Sequence, residues 1–350
     1  MSVTIKDVAR EAGTTIGTVS KAMNNSHTIS GETTAHIKAI AERLGYRPNA
    51  RAQTFARRAC RDVVFLACLP RDVAFSNPHM FEILAGAESA LTQKGYALKL
   101  YSCDTDTVCE LAKEIMESKQ ADGLLLHASV ITRELSVSLT HMNIPHIVIG
   151  KPNFSNSLCW IDNSNKLDGE IAAGYLYELG HRRIAFIGGR EEDKISHDRL
   201  EGVKIRLKEH GAILEEGQIF QGDPTVESGE EMARTMLEGG AMPTAVICAN
   251  NVLAFGCLRA LQSSGIDVPT MVSLLTFDDY PLAKITIPTL TSVSIDLYDL
   301  GISAGKLLVG KIKKPEMQVQ TFSTMPRLIA RESTSQNCIE SNFTSRNSGL

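Results

Sequence analysis

Apolar residues over the first 45 positions recur at helical spacing in three short runs. Thr4 can cap the first run and Gly13 can end it, and Thr15 can cap the second after a tight turn. The third run begins near Ser30 and stops at Gly45. The apolar positions are Ile5, Val8, Ala9 and Ala12, then Ile16, Val19, Ala22 and Met23, then Ile37, Ile40, Ala41 and Leu44. Two short helices joined by a Gly-containing turn are typical of a helix-turn-helix, and helices this short need one shared core.

From residue 62 onward the pattern changes to short apolar runs separated by longer helical stretches. Seven of these runs predict strands, over 63–69, 96–101, 123–128, 146–150, 183–189, 245–249 and 272–277. Strands that alternate with helices predict parallel sheets with helices on both faces, and two successive sets predict two lobes. The fold class is therefore α/β: an all-α helix-turn-helix head followed by a two-lobed body of parallel sheets flanked by helices.

Charge is divided unevenly along the chain. Residues 1–61 carry ten Lys and Arg against four Asp and Glu, a net charge of +6, whereas the whole 350-residue chain carries −4. The body is therefore acidic, and only the basic head is expected to meet a polyanion. The sequence GTVSK on the second helix places small hydroxyls and a lysine where they can reach phosphates and base edges of DNA. A helical bundle with a solvated polar face is the alternative for this head considered alone.

The N-terminal sequence MSVTIKDVAREAG offers neither a signal peptide nor a membrane span, because charged residues interrupt every apolar run. We therefore expect a cytoplasmic protein. Its eight cysteines include no Cys-x-x-Cys pair and lie mostly in apolar segments, so we expect buried thiols rather than disulfides or zinc ligands. The nine histidines show no metal-binding spacing, and neither a metal nor a cofactor is expected.

The head sequence resembles that of the LacI/GalR family of bacterial transcription regulators. The motifs DVAxxAG, TVS, the Asn24 after the second helix and LGYxPN occur in the family's order and spacing, and the resemblance extends to about residue 333. It implies a helix-turn-helix head over 1–48 and a hinge helix or linker over 49–61. It further implies a two-lobed effector-binding and dimerisation domain over 62–333, followed by a flexible polar tail over 334–350.

The family's body is similar to a periplasmic sugar-binding protein, in which the chain crosses three times between the lobes. We place the crossings near Asp162, at 289–292 and at 323–326. The resulting ranges are about 62–161 and 292–323 for the first lobe, and about 162–289 and 326–333 for the second. Ligands in such folds bind beyond the carboxyl ends of the strands, so these ends are expected to line a cleft between the lobes.

The resemblance also implies which residues contact DNA, with the second helix as the recognition helix. Thr18 and Ser20 fall at phosphate-contacting positions, and Lys21 at a base or phosphate contact. Gly17 departs from the family's usual side chain at a base-reading position, so the operator sequence cannot be transferred. Phe55 falls where the family inserts a leucine into the minor groove, and an apolar wedge of this kind kinks the duplex; the alternative is that Phe55 packs on the body. The implied DNA contacts are Thr15, Ile16, Gly17, Thr18, Ser20, Lys21, Asn24, Asn49, Arg51 and Phe55.

Three residues that we place at strand ends match the family's effector contacts, namely Arg199 in DRLEG, Asn250 in CANN and Asp278 in TFDD. They suit a polyol, because Arg donates, Asp accepts and Asn does either. The weaker candidates are Asp162, the aromatic residues Phe75, Phe81 and Trp160, and His127. Burial in a lobe core is the alternative for each aromatic ring, and a hydrogen-bonded structural role is the alternative for the histidine.

These inferences predict a dimeric repressor of carbohydrate-utilisation genes, whose affinity for a near-palindromic operator is controlled by a small sugar-like effector. The tail lacks the leucine heptad of tetrameric family members, so a homodimer is expected. Two alternatives stay open: a corepressor-dependent regulator that responds to a purine, a sugar phosphate or a protein partner, and a ligand-binding module without regulatory output. An enzyme is not expected, because GISAGK (301–306) is too short for a phosphate loop and no G-x-S-x-G occurs.

Overall fold

The computed structural model describes residues 3–23, 28–46, 60–69, 78–240, 242–322 and 325–337. Within these ranges the chain forms a small helical head and a two-lobed α/β body, as the sequence predicts. Among the described residues, no helix is long and apolar enough to cross a membrane. The same part of the chain contains no group of three or more His, Cys, Asp or Glu side chains arranged to hold a metal ion.

The head consists of α1 (Ile5–Glu11), α2 (Ile16–Met23) and α3 (Gly31–Arg43). The three helices share one small apolar core, as their shortness requires. Its buried side chains are Val8, Ala9, Val19, Ala22, Ile37, Ile40 and Ala41.

Hydroxyl side chains begin the helices of the head, as predicted. The Thr4 backbone N–H and Oγ1 both donate to the Asp7 carboxylate, at 2.9 and 2.7 Å. Thr15 Oγ1 accepts from the Thr18 N–H at 3.2 Å. Gly13 follows α1 with a φ of +60°, a conformation that costs other residues free energy. The turn between α1 and α2 is thus fixed by local chemistry, which sets the direction in which α2 presents its polar face.

Lobe 1 is built on a parallel sheet of six strands. Its strands are β1 (Asp62–Ala67), β2 (Ala97–Ser102), β3 (Gly123–His127), β4 (His146–Ile149), β5 (Trp160–Asp162) and β11 (Gln320–Phe322). Its helices are α4 (Pro78–Thr92), α5 (Val108–Glu117), α6 (Arg133–His141) and α11 (Leu297–Lys313). The strand order is β11-β5-β4-β3-β1-β2. Helices α4 and α11 pack on one face of the sheet, and α5 and α6 pack on the other.

Lobe 2 repeats this architecture with one strand reversed. Its strands are β6 (Ile184–Gly189), β7 (Ile219–Gly222), β8 (Ala245–Cys248), β9 (Ser273–Phe277), β10 (Thr291–Ser294) and β12 (Arg327–Ile329), and its helices are α7 (Asn165–Glu178), α8 (Lys194–Glu209), α9 (Val226–Glu238) and α10 (Asn251–Ser263). The order is β12-β10-β9-β8-β6-β7, and only the β10–β12 pair is antiparallel. All seven predicted strands are present, and five short ones were not predicted.

Glycines let pairs of neighbouring helices touch through their backbones. A Cβ at Gly169 of α7 would overlap the carbonyl oxygen of Arg199 in α8, and one at Gly202 of α8 would overlap the carbonyl oxygen of Lys166. The α9–α10 and α4–α11 pairs are built in the same way, the latter through Gly301. Each such pair is a rigid unit, because neither backbone can move toward the other.

The second crossing between lobes lies later than the expected 289–292. Residues Thr291–Ser294 pair with β9 and β12 and therefore belong to lobe 2, so the chain leaves this lobe only at Ile295 and Asp296, before α11. The first strand of the antiparallel pair is only four residues long, and the sequence does not distinguish it from a connecting segment.

The polar segment after residue 333 also differs from expectation, because its first residues pack on lobe 2. The Tyr175 and Thr334 hydroxyls lie 2.9 Å apart, and the backbone oxygen of Ser335 lies 3.1 Å from His181 Nε2. The Asn337 N–H donates to the Leu179 carbonyl oxygen at 2.8 Å. The ordered body therefore extends at least to residue 337.

The expectation of buried thiols holds for only part of the cysteines. Cys109, Cys159, Cys248 and Cys257 are buried, whereas Cys60 and Cys103 are half-buried and Cys68 is exposed. The apolar sequence around Cys68 predicted burial, but this residue lies just past the last residue of β1 and is exposed. Cys338 lies outside the described residues.

Candidate functional site

The polar face of α2 is open to solvent. Thr15, Ile16, Gly17 and Lys21 are exposed and Thr18 and Ser20 are half-buried, whereas the intervening Val19 and Ala22 are fully buried. The residues that the resemblance assigns to DNA thus lie on the face opposite the head core, which is the arrangement that a recognition helix requires. Asn24, Asn49, Arg51 and Phe55 lie outside the described residues.

Arg199 lies at the centre of a buried polar cluster in lobe 2. Only 2% of this residue, on α8, is exposed. Its Nη1 donates to the Ala249 carbonyl oxygen at 2.7 Å, and its Nη2 lies 3.2 Å from Asp278 Oδ1. The guanidinium carbon lies 4.5 Å from the centre of the Phe277 ring, in cation–π geometry. Most donors of this arginine are therefore already bound within the protein.

Asp168 supplies a second buried carboxylate to the same arginine. Its Oδ2 lies 3.6 Å from Arg199 Nη2, and its Oδ1 has no hydrogen-bond partner. Burial raises the pKa of Asp168 to about 7, and the Asp278 charge adds to this effect while the Arg199 charge opposes it. The Arg199 guanidinium thus faces two carboxyl groups. The carboxyl of Asp168 keeps its proton up to near neutral pH.

Asp278 sits in a turn that a neighbouring amide holds. Its φ of +68° is a left-handed conformation that aspartate adopts only at a cost. Asn251 Nδ2 donates to the backbone oxygen of Asp278 at 2.8 Å and also to that of Phe277. The neighbouring Asn250 caps α10, because its Oδ1 accepts from the Leu253 N–H at 2.9 Å. Asn251 therefore shapes the backbone at the carboxyl end of β9, and Asn250 fixes the start of the adjacent helix.

Lobe 1 contributes a histidine to the surroundings of the Arg199 cluster. Burial lowers the pKa of His79, at the start of α4, and the nearby charges of Asp278 and Arg199 act on it in opposite directions. Burial also lowers the pKa of His127 to about 4, and its Nδ1 lies 2.8 Å from the Ser129 hydroxyl. Both rings are therefore neutral at physiological pH, so they present one N–H donor and one acceptor each.

A tyrosine from lobe 2 joins this region. Burial raises the pKa of Tyr280, and the Asp278 charge raises it further. The ring also packs against the apolar cluster of lobe 1 that includes α4 and α11. Tyr280 therefore links the two lobes beside the Arg199–Asp278 pair.

The other predicted effector residues lie in different surroundings. Asp162 ends β5, where its carboxylate accepts from the Lys151 and Asn163 N–H groups, both at 2.8 Å, and burial raises its pKa. Trp160 packs into the core of lobe 1, with its ring centre 5.4 Å from that of Phe322, so its structural interpretation is the better one. Phe81 is exposed on α4, and Phe75 lies outside the described residues.

An open cavity of about 690 Å³ lies between segments of the two lobes. Residues 151–155 of lobe 1 line it together with Glu191, Glu192, Lys194, His197 and Asp198 of lobe 2. Its volume is that of a typical small-molecule site. Lys194, His197 and Asp198 at the start of α8 line the cavity, and Arg199 follows Asp198 on the same helix.

The sequence reasoning missed Asp168, His79, Tyr280 and Asn251. For Asp168 a clue was available, because it precedes Ala172 and Leu176 at spacings of four residues and all three are buried on one face of α7. A carboxylate in an apolar stripe indicates a buried partner of opposite charge. The residues 78–82 and 280 carry no comparable pattern.

The raised pKa of Asp168 predicts a specific dependence of stability on pH. The folded state holds this proton up to about pH 7, whereas an unfolded aspartate loses it near pH 4. The folded state binds more protons in this window, so the free energy of unfolding should fall as the pH rises from 4 through 7, by up to about 4 kcal/mol.

We expect Asp168→Asn to remove this decline. Urea unfolding of wild type and variant from pH 4.5 to 8 measures it, with Asp106→Asn, at an exposed position, as control. Parallel curves for wild type and Asp168→Asn would contradict the assignment.

A helix-turn-helix head joined to two parallel α/β lobes with a polar cleft defines the class of ligand-responsive DNA-binding regulators. Residues 4–49 match the model of the bacterial regulatory proteins of the lacI family, and residues 173–334 match that of the periplasmic binding protein-like domain. The chain is 30% identical over 333 residues to the HTH-type transcriptional repressor PurR of Vibrio atlanticus (strain LGP32), covering 94% of this chain and 97% of that one. It is 31% identical over 336 residues to catabolite control protein A of Priestia megaterium, covering 95% and 100%. The chain therefore belongs to the LacI family of bacterial transcription regulators.

Solved structures agree with this assignment. A complex of the transcriptional regulator CelR with cellobiose is 28% identical, with a TM-score of 0.71 and coverage of 95% of this chain and 99% of that one. The lac repressor dimer bound to operator and an anti-inducer is 23% identical, covers 96% and 100%, and has a TM-score of 0.80, which shows the shared fold. The protein is accordingly a DNA-binding regulator that binds small-molecule effectors, and the similar PurR protein is a transcriptional repressor.

Proposed function

We propose that the protein is a homodimeric repressor of carbohydrate-utilisation genes, and that a small carbohydrate in the cleft between the lobes sets its affinity for a near-palindromic operator. The observation that carries the proposal is the polar cluster of Arg199, Asp278 and Asp168 beside a 690 Å³ cavity that both lobes line. Carboxylates, amides and lysines form hydrogen bonds with hydroxyl groups, and the relative solved with cellobiose supports a sugar as the ligand.

The dimer is supported by an apolar surface on lobe 2. Leu282, Ile285 and Ile287 are all exposed in one short segment after β9. Clustered apolar side chains of this size are typical of protein interfaces. A dimer also presents two α2 helices, so it matches a DNA site with twofold symmetry.

A thermal-shift screen of the full-length protein tests the effector half of the proposal. The panel contains monosaccharides, disaccharides, sugar acids, sugar phosphates and purines. A ligand at 100 times its dissociation constant should raise the free energy of unfolding by about 2.7 kcal/mol. A sugar hit should be lost with Lys151→Met, a variant of the cavity wall. If only purines or sugar phosphates bind, and if they tighten DNA binding, the protein is a corepressor-dependent regulator. If the protein chemically converts the bound compound, it is an enzyme.

A duplex selected from a random pool tests the DNA half. We expect the sugar hit to weaken binding of this duplex by roughly 5- to 150-fold, the usual range of allosteric coupling. Lys21→Ala, in the head, should weaken DNA binding and reduce its salt dependence while leaving the thermal shift unchanged. If no duplex is preferred over random DNA at fixed salt, the protein is a ligand-binding module without regulatory output.

A further inference from the structure

Cys68 and Cys103 lie side by side at one edge of lobe 1. The β1–β2 register pairs Leu66 with Tyr101 and Ala67 with Ser102, so the next pair along the two strands is Cys68 and Cys103. The Cys103 N–H still donates to the Ala67 carbonyl oxygen at 3.0 Å, which shows that the two chains stay together beyond the last paired residues.

The two thiols also lie on the same face of the sheet. Val64 and Leu66 of β1 belong to the apolar cluster under α5 and α6, and Cys103 packs against this cluster. Side chains alternate along a strand, so Cys68 follows Leu66 on that face. Of the other described cysteines, Cys109 Sγ lies 3.4 Å from Ser138 Oγ of α6, and Cys60 precedes the opposite end of β1. Cys159 is buried in lobe 1, and Cys248 and Cys257 are hydrogen-bonded to each other but buried in lobe 2, out of reach of a peroxide.

The spacing of adjacent strands suits a disulfide. Neighbouring strands lie about 4.7 to 4.9 Å apart, within the range of about 4.4 to 6.8 Å that a disulfide spans between Cα atoms. The Cβ atoms must approach to about 3.5 to 4.5 Å, so closure draws the strand ends slightly together. This is easiest where the ladder ends, as it does here. A bond closed against such a constraint is reducible, which is the property of regulatory rather than structural disulfides.

We propose that Cys68 and Cys103 are a thiol modification site that a peroxide converts to a reversible disulfide within lobe 1. Cys68 is the thiol that reacts first, because it is exposed while Cys103 is half-buried. Burial raises the pKa of Cys103 to about 11, which keeps it as the thiol that resolves the intermediate.

The chemistry needs only a peroxide as oxidant. The Cys68 thiolate attacks one peroxide oxygen, the O–O bond breaks, and the leaving hydroxide takes up a proton, which gives a sulfenic acid and water. Cys103 Sγ then attacks the Cys68 sulfur, the S–O bond breaks, and the leaving hydroxide takes the Cys103 proton as a second water. The two thiols have lost two electrons and two hydrogens in total, and the peroxide has been reduced to two waters.

This site lies at the edge of the sheet that faces the cleft. The carboxyl ends of β1, β2 and β3 meet there, and β3 ends at His127, which lies near His79. His79 in turn lies near Asp278 and Arg199. A bond between the ends of β1 and β2 therefore links the redox state of the protein to the lobe 1 wall of the effector site.

Peptide mapping of the full-length protein after brief treatment with one equivalent of hydrogen peroxide tests the proposal. Asp-N protease cuts before Asp104 and so separates Cys103 from Cys109. We expect one cross-linked pair of peptides containing Cys68 and Cys103, lighter by two hydrogen atoms and restored by dithiothreitol. Phenylarsine oxide, which bridges two close thiols, should protect both from alkylation.

The control variants separate this pair from the other thiols. Cys68→Ser and Cys103→Ser should each abolish the cross-link and the arsenical protection, whereas Cys60→Ser, a half-buried cysteine at the far end of β1, should leave both unchanged. Cross-links that join two subunits through Cys68, or a Cys68 oxidised to sulfinic acid beside a Cys103 that alkylates freely, would overturn the proposal. Because the mapping needs neither effector nor operator, its failure would leave the proposed function untouched.

Discussion

Arg199→Ala should lower the free energy of unfolding by about 3 to 5 kcal/mol, the usual cost of removing one partner of a buried ion pair. The guanidinium is 2% exposed and compensates the carboxylates of Asp278 and Asp168, with Nη–Oδ distances of 3.2 and 3.6 Å. Without it, two carboxylates remain buried together and the Ala249 carbonyl loses its donor. Urea unfolding at pH 7.5 measures the loss.

The matched control for this prediction is Arg190→Ala. Arg190 also binds a carboxylate, that of Asp223, but this pair lies on the surface, where ion pairs contribute little. Adding Asp168→Asn to Arg199→Ala should restore part of the lost stability, since the Asp168 carboxyl, without the guanidinium, has to take up a proton at pH 7.5 to stay buried and the amide does not. Equal losses for Arg199→Ala and Arg190→Ala would show that the buried pair does not stabilise the fold. A folded but destabilised Arg199→Ala protein that still responds to the effector would confine this arginine to a structural role.

Gly169→Ala should lower the free energy of unfolding by about 3 kcal/mol or more and should also abolish the effector response. The loss is large because overpacking against a backbone cannot be relieved by a rotamer change. The added Cβ would overlap the Arg199 carbonyl oxygen and would lie 3.0 Å from the Val203 nitrogen. Helix α8 must then move away from α7, and it carries Arg199 with it. Thermal unfolding measures the first effect, and the ligand-induced thermal shift measures the second.

Gly174→Ala, five residues later on α7, is the control for this steric effect. Its Cβ would meet only the flexible side chain of Arg206 at 3.7 Å, an ordinary contact. Alanine has a higher helix propensity than glycine, so the free energy of unfolding of this variant should rise by about 0.5 to 1 kcal/mol. If both variants lose stability equally, the close approach of α7 and α8 is not the cause.

The strands that the sequence predicted are those whose own residues are enough to identify them as strands. The runs at 63–69, 183–189 and 272–277 are mostly apolar on both faces and only six or seven residues long, which favours a strand inside a covered sheet. The five strands that were missed, including Ile219–Gly222 and Thr291–Ser294, have three or four residues each. Their pairing is decided by a neighbouring strand, which local periodicity does not report.

The candidate site was predictable only in part, for a similar reason. Arg199 and Asp278 came from a motif, but Asp168 lies 31 residues from this arginine, and their contact depends on the approach of α7 to α8 through Gly169. His79 and Tyr280 come from different lobes, so no pattern within either segment could place them together. The structure also changed the interpretation of Trp160, which fills the core of lobe 1.

The core of the head has a further consequence for the life of the protein in the cell. Its seven buried residues are four β-branched side chains and three alanines, a far smaller apolar volume than that of either lobe. A domain with so small a core is only marginally stable by itself. We therefore expect the head to open locally while the body stays folded, which would expose its backbone to proteases. Operator DNA, which binds only the folded head, should slow this cleavage, so we expect promoter occupancy and the lifetime of the regulator to be coupled.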